Sequence, residues 1–149
     1  RSLCMVNATT GWAAGGYGSD GYIYNTVDGL NWNQQDQVVG QWLYGIWFVN
    51  ASTGWAVGSQ GTVLHYDGNN WNLTRLGNTT FFTVFFLNAD QGWIAGSDGA
   101  IYYTEDGGAS WHSEYSGTTR PIRSLFSLAR EQTWAIAGYG TIRYCHAIY

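Results

Sequence analysis

Three histidines, ten acidic side chains, six basic ones and two cysteines are the groups in this 149-residue chain that could carry chemistry. His65, His112 and His146 stand far apart, with none of the spacings that bring imidazoles onto one metal ion. The basic residues are all arginine, Arg1, Arg75, Arg120, Arg123, Arg130 and Arg143, and the glutamates are Glu105, Glu114 and Glu131. No G-x-S-x-G elbow is present, and the glycine-rich GGYGSDG precedes a strand pattern instead of the helix a phosphate cradle needs. The expectation is therefore no catalytic site, no cofactor and no metal.

What remains is hydrogen bonding in turns. Thr104, Asp106, Gly108, Ser110 and Trp111 follow the order S/T-x-D-x-G-x-S/T-W, and shorter versions occur at Asp28, Gly29 and Trp32 and at Asp67, Gly68 and Trp71. In such a turn the aspartate accepts from backbone amides, glycine takes the positive φ, and tryptophan folds back over the hairpin. A second set of turns carries Tyr17, Asp20, Gln60, Asp98 and Tyr139. Aromatic and short polar groups on glycine turns suit contacts with a sugar or a peptide, and the plain alternative is an ordinary solvated hairpin.

The elements that hold these turns repeat. Trp12, Trp55, Trp93 and Trp134 each open the second strand of a unit, at a period of about 40 residues. The units are 1–40, 41–79, 80–120 and 121–149. Each reads strand A, polar turn, strand B, glycine turn, strand C, Asp-Gly turn, strand D, and the last stops before its fourth strand. Glycine recurs every few residues and no amphipathic helical segment exists. Strand A in the second and third units, LYGIWFV and FFTVFFL, is apolar almost without alternation, as a strand covered on both faces should be. WNLTRL and WHSEYS alternate and carry polar residues, as half-exposed edges do. The expected fold is an all-β propeller of four repeats in a single domain, with an incomplete last blade.

These motifs, with G-W-x-x-G and G-x-x-G-x-I/V, resemble the Asp-box (bacterial neuraminidase repeat) propellers, the sialidase-type and photosystem II assembly-factor group. The resemblance spans nearly the whole chain. It implies a propeller in which the Asp-boxes are turn staples far from any ligand site. The sialidase chemistry of that group uses an arginine triad, a Tyr/Glu nucleophile pair and an acid Asp on six blades. Arg120-Pro121-Ile122 does not match its R-I-P motif in order, and a glycosidase is the least favoured reading. The assembly factors resemble a longer, seven-bladed propeller with an arginine patch, which this sequence does not display.

Only 11% of residues are charged and 17% are aromatic, with a net charge of −4. That composition excludes disorder, and the absence of a basic run excludes a nucleic-acid partner. No apolar run approaches the ~20 residues a membrane helix needs. The chain opens on Arg1 without an initiator Met, as a processed or excerpted chain would, with any signal peptide outside it. Four N-x-S/T sequons, at Asn7, Asn50, Asn72 and Asn78, favour an extracellular or lumenal glycoprotein with a Cys4–Cys145 disulfide over two thiols in a reducing cytosol. The expected function is a non-catalytic, secreted structural or adhesive module. Its partners would be copies of itself or other extracellular proteins, and a lectin-like binder of glycans is the alternative.

Overall fold

The computed structural model describes residues 1–38 and 40–145, with the side chains of 37, 38, 141 and 143–145 outside the description. Fifteen strands form four antiparallel sheets among these residues. Blade one holds β1 Ser2–Met5, β2 Gly11–Tyr17, β3 Asp20–Thr26 and β4 Asn33–Val38. Blade two holds β5 Leu43–Asn50, β6 Thr53–Gly58, β7 Thr62–Tyr66 and β8 Trp71–Arg75. Blade three holds β9 Phe81–Phe86, β10 Gly92–Gly96, β11 Ile101–Thr104 and β12 His112–Glu114. Blade four holds β13 Ile122–Ala129, β14 Gln132–Ala137 and β15 Thr141–Cys145. Strands in each sheet follow chain order, so every connection within a blade is a hairpin.

The sheets pack in series. Trp12 and Ala14 of blade one bury against Leu43, Ile46, Phe48 and Leu64 of blade two. Trp55 and Val57 of blade two bury against Phe81, Val84, Phe86 and Ile94 of blade three. Trp93 and Ala95 of blade three bury against Ile122, Leu125 and Ala135 of blade four. Trp12, Trp55 and Trp93 thus each face the following blade. Trp12 stacks on Phe48 with centroids 3.8 Å apart, and Trp55 stacks on Phe86 at 3.4 Å. The phenylalanine in turn lies over the glycine that precedes the next tryptophan. A Cβ on Gly92 would stand 2.4 Å from the Phe86 ring, and one on Gly54 2.5 Å from Phe48. That contact explains why glycine precedes the tryptophan in β6 and β10. Blade four has a different solution: Ser127 and Thr133 hold the same cross-strand position and their hydroxyls hydrogen-bond at 3.0 Å.

Burial follows neighbours more than sequence. β5 and β9 sit between two blades and are largely buried. β1 and β13 alternate between buried or half-buried and exposed residues, because a sheet covers only one of their faces. Arg130 of blade four pairs with Glu114 of blade three and places its guanidinium 3.5 Å from the Tyr103 ring centroid, a polar tie across that interface. Cys4 faces blade two as a free, half-buried thiol whose Sγ lies 3.8 Å from the Phe48 carbonyl. Burial pushes that thiol's pKa up. The side chain of Cys145, its expected disulfide partner, lies outside the described residues, as does His146.

Candidate functional site

Two kinds of turn occupy opposite rims. On one rim the Asp-Gly turns join the third and fourth strands of blades one, two and three. Thr104 Oγ1 donates to Asp106 Oδ1 at 2.7 Å and accepts from the Gly108 amide at 2.9 Å. Asp106 also accepts from the Ser110 amide at 2.8 Å and the Ser110 hydroxyl at 2.6 Å. Thr26 and Asp28 repeat this arrangement in blade one, with Asp28 accepting from the Leu30 and Asn31 amides. In blade two Tyr66 replaces the threonine, and Asp67 accepts from Asn69, Asn70 and the Asn72 side chain. Bonds from Ser110 hold the Asp106 carboxyl down to about 2, while bonds from Asn31 and Asn70 lower Asp28 and Asp67. All three carboxylates are engaged inside their own turns.

These turns also meet the preceding strand pairs. Gly107 N donates to Asp90 O, and Trp55 Nε1 reaches across from blade two to Gly107 O at 2.9 Å. The indole nitrogens of Trp12 and Trp93 are buried without such a partner. The Asp-Gly turn facing Trp12 is the shortened one of blade two, and blade four has no described Asp-Gly turn to face Trp93. His65 lines the cleft of about 520 Å³ between the turns of blades two and three, stacked on Trp55 with centroids 5.2 Å apart. Burial lowers its pKa. Among the described residues no group of His, Cys, Asp and Glu is arranged to hold a metal ion.

The opposite rim carries the other expected residues. Tyr17 and Asp20 close the β2–β3 hairpin, and Gln60, Asp98 and Tyr139 take left-handed φ values of 52°, 58° and 63°. Each of the last three is followed by a glycine of positive φ, the pair a tight hairpin of this twist requires. The hairpins are pinned beneath the inter-blade connections. A Cβ on Gly99 would stand 1.9 Å from Thr118 O, and Trp42 Nε1 donates to Gly18 O at 2.9 Å. Tyr17 and Tyr139 are exposed and Arg120 lies over the Tyr139 ring. The five residues are spread over four blades, and Tyr17 lines a hollow with Tyr22 and Tyr24.

A third feature was not legible in any motif. The first strand of every blade, β1, β5, β9 and β13, is an edge of its sheet, and the four edges border one groove of about 300 Å³. Its lining includes Arg1 and Ser2, Tyr44 and Trp47, Phe82 and Phe85, and Arg123 and Ser124. Ser2 Oγ accepts from the Ile46 amide across it at 3.2 Å. Arg123 places its guanidinium 3.8 Å from the Phe82 centroid, and that of Arg1 lies 4.5 Å from Trp42 and 5.1 Å from Tyr44. The lining contains no carboxylate among the described residues. Sequence distance hid this pairing of cations, since the two arginines stand at opposite ends of the chain.

Solved structures share this arrangement of sheets. The chain superimposes on a structure described as YCF48 bound to D1 peptide with a TM-score of 0.72 and 20% identity, covering 92% of this chain and 47% of that one. It superimposes on YCF48 from Cyanidioschyzon merolae with a TM-score of 0.79 and 16% identity, covering 98% of this chain and 50% of that one. The blades are those of a β-propeller. The chain spans about half the length of these propellers. No family model matches the sequence, and no curated protein matches it. At these identities the likeness is one of fold, which meets the sequence expectation of propeller blades at that level.

The four sequon asparagines, Asn7, Asn50, Asn72 and Asn78, are all exposed. Asn7 and Asn50 also have a conformational task. Asn7 Oδ1 accepts from the Thr9 and Thr10 amides, and Asn50 Oδ1 from the Ser52 amide. Asn88 does the same for Asp90 and Gln91 in blade three without being a sequon.

Proposed function

We propose that this chain is a non-catalytic propeller module that binds an extended, anionic segment of another protein in the groove bordered by β1, β5, β9 and β13. The observation that carries this reading is the composition of that groove. Four edge strands border it with backbone amides and carbonyls, of which the Ile46 amide is taken by Ser2 Oγ, Arg1 and Arg123 supply positive charge, and aromatic rings keep both guanidinium groups in place. Edge amides hydrogen-bond an extended peptide irrespective of its side chains, and arginine adds charge-assisted bonds to a carboxylate. The neighbour described as bound to D1 peptide supports a peptide ligand for this kind of fold.

A non-catalytic role fits Asp28, Asp67 and Asp106, which are engaged in their turns, and Glu114, which is paired with Arg130. The exposed sequons support a secreted, glycosylated setting with a structural or adhesive role, including assembly with copies of itself. Intact mass before and after deglycosylation reads that setting. A glycan-binding rim is the second reading, favoured by the exposed Tyr17 and Tyr139.

The test is a fluorescence titration with an acidic peptide ending in a free carboxylate, alongside its amidated twin. Saturable binding to the chain is expected. Arg123→Glu should weaken it tenfold or more, since a hydrogen bond to a charged group contributes about 1.5–3 kcal/mol. Arg123 is exposed, so the substitution leaves the core untouched. Absence of saturable binding, or equal affinity in the variant, would overturn the proposal.

A further inference from the structure

The connection from blade three to blade four, residues 115–120, is tied to both blades and presents a cation without a counter-charge. Ser116 is buried, donates to the Thr118 carbonyl at 3.1 Å and accepts from the Thr118 amide. Thr118 Oγ1 accepts from the Arg120 amide at 3.1 Å. On one side Thr118 O lies against Gly99 of the blade-three hairpin, and on the other the Gly138 amide donates to Pro121 O at 2.9 Å. Arg120 therefore leaves a fixed backbone. Its guanidinium has no carboxylate partner among the described residues and lies 4.8 Å from the Tyr139 ring centroid. Beside it Tyr115, Gly117, Thr118, Thr119 and Arg120 line a hollow of about 340 Å³, with no carboxylate among them. Tyr115 is 86% exposed and Tyr139 is 92% exposed. The open face of blade four does not account for these exposures. Tyr115 belongs to the connection between two packed blades. Gln60 and Asp98 hold the Tyr139 position with a following connection over their hairpins, and they are exposed as well.

The repeat supplies a control on the chemistry. Where blade four has Arg120 and Tyr139, blade two has Gln41 and Gln60, whose side chains bond each other at 3.2 Å. A neutral pair closed on itself is replaced by a cation on an aromatic face, with the guanidinium donors unbonded. We propose that this hollow binds a sulfate ester carried on a saccharide chain. It rests on the second reading above, a glycan-binding rim, and names the residues and the ligand class of that rim. The guanidinium offers two parallel N–H groups, and the hydroxyl of Thr119, which has no partner among the described residues, offers a third donor. Three donors match the three terminal oxygens of a tetrahedral ester, and a carboxylate would leave one of them unused. A sulfate ester carries a single negative charge and a phosphate monoester nearly two at neutral pH. The exposed carboxylate of Asp98, in the hairpin against which the connection rests, disfavours the higher charge. Tyr115 gives the sugar an aromatic face to pack on, while Tyr139 orients the guanidinium.

The experiment is isothermal titration of the intact chain with a carrageenan oligosaccharide, its desulfated twin and an oligogalacturonate of equal length, which carries carboxylates and no sulfate. Saturable binding of the sulfated form is expected, about tenfold or more tighter than its desulfated twin, and tighter than the oligogalacturonate. Arg120→Gln should bring the sulfated form to the affinity of the desulfated one. Tyr115→Ala should weaken the sulfated and desulfated forms alike. Both residues are exposed, and near-ultraviolet circular dichroism checks that each variant keeps its packed tryptophans. Equal affinity for the two twins, or undiminished binding by Arg120→Gln, would overturn the sulfate site while leaving a glycan-binding rim standing. A preference for the oligogalacturonate would replace the ester by a carboxylate and so contradict the proposal. Tighter binding of a sulfotyrosine peptide would contradict the saccharide. If none of the three oligosaccharides binds, the rim reading falls with it. The acidic-peptide titration, repeated on Arg120→Gln, reads the groove separately, because Arg120 does not line it.

Discussion

At the residue scale the turn aspartates are the most specific chemistry in the molecule, and it is structural. Asp106 is held near 2 by Ser110 and the turn amides, below the ordinary value of about 3.9 for an unfolded aspartate. A depressed carboxylate stabilises the fold fully above its unfolded value, and that contribution is lost as pH falls through the folded value. The melting temperature should therefore drop as pH falls from about 4 towards 2. Asp106→Asn, which cannot titrate, should show a shallower drop over that window; parallel curves would contradict the account. These turns were readable in sequence because threonine, aspartate, glycine and tryptophan at fixed offsets serve one local geometry. The sequons were readable as text but less so as function. Asn88 shows that an asparagine is favoured at that turn for its Oδ1 alone, which accounts for Asn7 and Asn50 with or without a glycan.

At the element scale, alternation and period gave the strands, and the recurrent Gly-Trp gave the registry between blades. What the pattern could not give was which face of each sheet is covered. β13 alternates buried and exposed because its far side has no described neighbour, a property of its place in the array and not of its residues. The same repeat position should therefore differ in cost. Phe86→Ala empties a site stacked on Trp55 and edged by Trp111, and should cost about 3–5 kcal/mol in denaturant unfolding. Met5→Ala, at the equivalent position on an open face, should cost less than about 1 kcal/mol in the monomer. Equal costs would mean that the sheets do not stack in this order.

At the scale of the whole molecule, the groove was invisible to sequence reading because nothing local marks it. Arg1 and Arg123 belong to different blades, and neither sits in a motif; only the meeting of four first strands places them on one lining. The hairpin rim, by contrast, was visible because glycine pairs mark it, yet its residues remain dispersed around the array. Strand edges facing a common axis with cations between aromatic rings are the arrangement on which the functional reading depends. Amide hydrogen exchange with and without the carboxylate peptide measures it most directly. The account predicts added protection confined to the groove segments around Tyr44–Trp47, Phe82–Phe85 and Arg123–Leu125. Protection at the Tyr17 and Tyr139 hairpins instead, with the groove unchanged, would contradict it.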